Sequence, residues 1–145
     1  MIIDVFGKHK LVNPVEVQEA AEFFLRELIP LDKLEKLYLT VEVDYADSKG
    51  SAHKVSKNEY TITLSRTLGK RPLFATLAHE IVHVKQFVLG ELRSVQKAFI
   101  WDGKRFPVGK DDDYIYFDSP WEIEAYGREV GLTHKYYRHI SRKEN

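Results

Sequence analysis

The sequence predicts an α+β domain, and three observations predict it. Apolar and polar residues alternate strictly over 37–45 and again over 60–65, the period of a half-buried strand. Apolar residues recur at helical spacing behind a capped start at Asn13. A second helical pattern, opening near Pro72, carries two histidines four residues apart.

Length and composition set the bounds. The chain has 145 residues, 43% hydrophobic and 30% charged, which suits one soluble domain over 1–145 and is too apolar for disorder. Lysine plus arginine balance aspartate plus glutamate, 22 against 22, so overall charge gives no reason to expect nucleic acid or an acidic membrane as partner. There is no cysteine. A transition-metal site must therefore use histidine and carboxylate, and the expected compartment is the reducing cytoplasm. The start, MIIDVFGKHK, lacks the charged lead-in, long apolar core and cleavage site of a signal peptide. No window reaches the roughly 18 apolar residues of a membrane span.

The elements follow in order. Asn13-Pro14-Val15-Glu16 carries an N-cap, a proline at the first helical position and a glutamate at the third. Val17, Ala20, Ala21, Phe24 and Leu28 then mark a helix that stops before Pro30. Leu37, Leu39, Val41, Val43 and Tyr45 give the first strand, with Tyr38, Thr40, Glu42 and Asp44 on its other face. The turn-forming ADSKGSAHKVSKN reads as a loop in which His53 is plain surface. Tyr60, Ile62 and Leu64 give the next strand, a candidate edge for pairing with an extended peptide. After Gly90, Asp102-Gly103 between two short apolar runs predicts a hairpin. GKDDD is a loop, and YIYFD a strand or an extended lid. A last helix opens at Ser119-Pro120-Trp121-Glu122 and leads into a basic, aromatic tail from about residue 131, helical to about Ile140.

The chemistry concentrates in the stretch ATLAHEIVHVKQF. On a helix His79 and His83 project from one face, so their ring nitrogens can converge on one ion. Glu80 is rotated by about 100° from His79, poorly placed as a ligand but able to reach a water on the metal. Leu73, Phe74, Leu77, Ile81, Val84 and Val88 form an apolar stripe opposite the histidines, which lets the helix dock on a core while the other face lines a cleft. A catalytic zinc needs a third protein ligand, and Glu122, Glu124, Glu129, His134 and His139 are the candidates. Glu122 could instead close a capping box on Ser119, and Glu124 a surface pair with Arg128. Glu122 shares its face with Tyr126 and Glu129, which makes it the better placed.

HEIVH followed some forty residues later by EIEAYGRE resembles the gluzincin pattern, and the chain resembles the small SprT-like and minigluzincin metallopeptidase domains of bacteria, archaea and phages. The resemblance covers roughly residues 36–130. It implies a zincin-like fold, His79, His83 and Glu122 as zinc ligands, Glu80 as general base and a peptide or protein as substrate. Two features depart from it. Tyr126 stands where many gluzincins have an aspartate that orients a histidine, and SprT-like proteins often use a third histidine, which His134 or His139 would have to supply.

Tyr126, Tyr136, Tyr137 and His134 are the candidate donors to a developing oxyanion. Two other classes compete with the peptidase: a non-catalytic zinc-stabilised binding domain, and a protease acting on nucleic-acid-bound proteins. The second would use Lys135, Arg138, Arg142 and Lys143 on phosphates and Tyr136 and Tyr137 on bases. A helix end whose cations suit its dipole is the plainer account of that tail.

Overall fold

The computed structural model describes residues 1–108 and 113–144. Its elements run β1 (Ile2–Gly7), α1 (Pro14–Leu28), α2 (Leu31–Leu34), β2 (Tyr38–Asp44), β3 (Gly50–Ser56), β4 (Glu59–Ser65), α3 (Lys70–Val88), β5 (Leu92–Val95), β6 (Ala98–Trp101), β7 (Lys104–Pro107), α4 (Asp113–Asp118) and α5 (Pro120–Glu144). The architecture is α+β. A four-stranded sheet in the order β1-β2-β4-β3 is parallel except for β3, which runs antiparallel to β4. A separate antiparallel sheet, β5-β6-β7, follows α3.

The alternation in β2 and β4 has the expected consequence. Leu39, Val41 and Val43, and Tyr60, Ile62 and Leu64, are buried on one face of the sheet. Val17, Ala20, Ala21 and Phe24 of α1, and Leu73, Phe74, Leu77 and Ile81 of α3, join them in one core. The start of α1 is the capping box its sequence predicts: Glu16 N–H donates to Asn13 Oδ1 at 2.8 Å, and Asn13 N–H to Glu16 Oε1 at 3.4 Å.

Several expectations are corrected. β1 was not predicted: with Ile2 and Phe6 more than half exposed, this edge strand shows no clean alternation. The segment read as a loop contains β3, an edge strand whose side chains are mostly exposed; pairing with β4 through the Lys57-Asn58 turn holds it. Asn58 takes a φ of 66°, which asparagine tolerates. Consequently β4 lies inside the sheet, and the edge beside α3 is β3. The Asp102-Gly103 hairpin is present with φ of 48° and 79°, the primed turn that matches strand twist, but β5 ahead of it was missed. The loop expected over GKDDD lies, apart from Asp113, outside the described residues. YIYFD falls in the short helix α4 instead of an extended segment, its aromatic β preference overridden by packing of Tyr116 and Phe117 near Tyr126.

Two further corrections concern helices. α3 is buried on every side from Leu77 to Gln86, because α5 covers the face that carries the histidines. The tail is no appendage: Leu132 and Tyr136 of α5 are in the core, where Tyr136 packs on Phe23, Phe24 and Phe74. A chain ending near Val130 would leave that aromatic cavity open, so it should fail to fold; loss of the cooperative thermal transition would check this.

Among the described residues no helix is long and apolar enough to cross a membrane.

Candidate metal centre

About two turns of α3, His79 to Gln86, and about two of α5, Glu122 to Glu129, build the site. His79 and His83 lie one turn apart on α3, ring centroids 5.0 Å apart, and both face the α5 carboxylate of Glu122. Glu122 Oε1 is 3.0 Å from His79 Nε2, and Glu122 Oε2 is 3.1 Å from His83 Nε2. Potential ligand atoms of His79, Glu80 and His83 also lie within 4.8 Å of one another, and all of these side chains are buried. The group could bind a metal ion. Glu122 thus points at the histidines, and not back at the backbone as a capping-box residue would.

The other ring nitrogens are held as well. His79 Nδ1 lies 3.2 Å from Glu129 Oε1, and His83 Nδ1 lies 2.8 Å from Gln86 Oε1. The Gln86 amide cannot be turned round without loss, since its Nε2 donates to Trp121 O and Glu124 Oε1, both at 2.9 Å. Each imidazole therefore stands between two oxygen acceptors. A neutral imidazole has one N–H, which satisfies one of them; the remaining nitrogen presents a lone pair to another oxygen acceptor, a carboxylate in His79 and the Glu122 carboxylate or the Gln86 amide in His83. Only a second proton or a cation between Nε2 and Glu122 resolves that conflict. This donor set fits a metal.

Electrostatics agree with the geometry. Burial would lower the pKa of His79 and His83, but the hydrogen bonds to Glu122 and nearby carboxylate charge outweigh it and raise both. Burial would raise Glu122, but the bonds from His79 and His83 hold it at about 2. Glu80 moves the other way: burial raises it above the ordinary 4.5, against the pull of His83 and His79.

A pH dependence follows for metal-free protein. The stabilisation from His79 and His83 is complete below their ordinary 6.5 and is lost as pH rises through their raised folded values. That from Glu122 is complete above 4.5 and is lost as pH falls towards about 2. Glu80, raised by burial, costs progressively more above 4.5. The metal-free melting temperature should therefore fall between about pH 5 and about pH 8. Added zinc, which needs neutral imidazoles, should raise it more at about pH 8 than at about pH 6. Melting curves with and without zinc check both signs.

Beside the cluster opens a cleft of about 240 Å³, lined by Gly50, Thr76, His79, Glu80, Tyr116 and Tyr126 among others. Gly50, at the start of β3, has no room for a side chain: a Cβ there would meet Thr76 Cγ2 at 2.7 Å, Thr63 O at 2.9 Å and Glu80 Cγ at 3.4 Å. Gly50→Ala should cost about 1–3 kcal/mol by pushing β3 off Thr76 of α3 and off the Thr63 carbonyl of β4, read by denaturant unfolding.

The remaining residues sort clearly. Glu124 is no simple surface pair: Arg128 Nε is 2.9 Å away, but so are Gln86 Nε2 at 2.9 Å and the buried Lys85 Nζ at 2.7 Å. His134 and His139 are exposed, His139 against Phe23, and neither joins the cluster. Among the oxyanion candidates Tyr126 is at the site, its ring 4.4 Å from that of His79. Tyr136 is in the core and Tyr137 lies under Arg71. Tyr116 also belongs to the site, with no signal in its local sequence: the pKa of its phenol is raised by burial and by hydrogen bonds to Tyr126 and Glu122. The ring partners Glu129 and Gln86 are likewise brought in by the fold. Glu129 shares a helical face with Glu122, and Gln86 sits one turn after His83; those spacings were the available signal.

No family model, curated protein or solved structure matches this chain.

Proposed function

We propose that this chain is a zinc metallopeptidase domain of zincin-like, gluzincin type, akin to the SprT-like and minigluzincin domains, with His79, His83 and Glu122 as ligands. The observation that carries the reading is the convergence of both Nε2 atoms on Glu122, with Glu80 buried alongside at the rim of an open cleft. Ligands about 2.1 Å from a tetrahedral zinc lie about 3.4 Å apart, close to the 3.0 and 3.1 Å found here.

A bound zinc supplies Lewis acidity, acidifying a water and polarising the scissile carbonyl. The chain does the rest. Glu80, its pKa raised by burial, accepts a proton from the attacking water and returns it to the departing amine as the C–N bond breaks. Glu129 and Gln86 fix the rings so that Nε2 is the free nitrogen. Tyr126 and Tyr116 stand where a hydroxyl could donate to the carbonyl oxygen. β3, not β4, is the edge that an extended substrate would meet.

The test is hydrolysis of an unfolded protein by the zinc-loaded chain, abolished by a chelator and restored by zinc. Full zinc loading with no hydrolysis of unfolded protein or peptide libraries would favour a zinc-stabilised binding domain. A nucleic-acid role for the tail gains nothing from its rings, since Tyr136 is buried and Tyr137 is covered by Arg71. Salt-dependent retention on single-stranded DNA would revive it.

A further inference from the structure

β3 does not end at the metal cleft. Its first residue, Gly50, lines that cleft, and Ala52 to Lys57 line a second, larger groove of about 740 Å³. The far wall of this groove is Leu92 to Val95, the whole of β5. Consecutive residues of β3 and β5, not only alternate ones, line its two sides, with Phe87, Gly90 and, on β6, Phe99 between them, so the groove follows the facing borders of the two strands. Among the described residues β3 is the last strand of its sheet and β5 the last of the other, so each turns a border with no paired strand towards the groove.

The charge of this surface is one-sided. Lys54, Lys57 and Arg93 line the groove, and an adjoining hollow of about 350 Å³ adds Lys33 and Lys36, with Asp32 as its one carboxylate. None of these five cations forms an ion pair among the described residues, although the whole chain is charge-balanced. An excess of unpaired cations beside open strand borders fits a ligand that offers both backbone amides and negative charge.

We propose that the groove between β3 and β5 binds an extended acidic peptide segment, which makes it a specificity site for substrates carrying aspartate or glutamate away from the scissile bond. This deepens the peptidase reading and rests on it for the word substrate; the binding itself does not. Lys54 stands four residues along β3 from Gly50, about 13 Å at 3.3 Å per residue. The acidic block should therefore begin about four residues from the cleaved bond. A nucleic acid could satisfy the lysines but has no use for the strand borders, which decides for peptide.

Binding is measured by fluorescence anisotropy on the full chain, both wild type and Glu80→Gln, the latter to keep peptide uncleaved. The probes are two labelled twelve-residue peptides that differ only in an acidic or a basic block, and a labelled oligonucleotide of the same charge as the acidic one. The acidic peptide should bind at least about tenfold more tightly than the basic one, and the preference should shrink as salt rises. Lys54→Glu/Lys57→Glu/Arg93→Glu, all exposed positions, should remove the preference while zinc content and melting temperature stay unchanged. Equal binding of both peptides, persistence of the preference in the triple variant, or tighter binding of the oligonucleotide would each overturn the proposal. Acidic-peptide binding by zinc-loaded wild type that hydrolyses neither this peptide nor unfolded protein would instead leave this site standing and remove the peptidase reading.

Discussion

Glu80→Gln should lower peptide hydrolysis by about 10² or more while zinc content and folding survive. The carboxylate is buried at the cleft beside both histidines, and burial raises its pKa above the ordinary carboxylate value, the direction that favours a proton acceptor. Glutamine keeps size and hydrogen-bonding capacity but cannot take a proton from water. Because Glu80 is raised by burial, removing its charge should also relieve a cost of folding above about pH 5, so the variant should melt at the same temperature or higher. Single-turnover hydrolysis together with melting separates the two effects. A loss of activity accompanied by lower stability and lost zinc would place Glu80 among the ligands instead.

Glu124→Ala should destabilise the fold by about 3 kcal/mol without removing a ligand. Lys85 is buried, and its ammonium is 2.7 Å from Glu124; Glu91 Oε1 is 2.8 Å away but accepts no aligned hydrogen bond. Truncation leaves a buried cation poorly paired and frees one of the two bonds that hold the Gln86 amide. Lys85→Met in the same chain should recover much of the loss, since no unpaired charge then remains. Denaturant unfolding of the four proteins gives the coupling. A cost of only a few tenths of a kcal/mol would reduce Glu124 to its helix-surface pair with Arg128.

That contrast shows where the sequence is legible. Within α5 the Glu124–Arg128 spacing is visible, but the approach of Lys85 and Gln86 across 38–39 residues is a tertiary fact. The same holds for Tyr136, which reads as part of a basic tail until Phe23, Phe24 and Phe74 are seen to enclose it. β2, β4 and α1 were readable because each buries one face and its pattern records that. β1 and β3 were not, because border strands bury little and are held by backbone pairing. At the site, His79, Glu80 and His83 are local and their spacing carries the geometry. Glu122 could be ranked only by its helical face, and Gln86 and Glu129 could not be assigned to a ring.

The most direct test is zinc stoichiometry by elemental analysis of protein purified without chelators. Close to one zinc per chain is expected, most of it lost in His83→Ala because two ligands hold zinc poorly, and affinity weakened in Glu122→Gln, where an amide replaces a carboxylate. Wild-type protein that carries no zinc and takes up none when it is added would contradict this expectation.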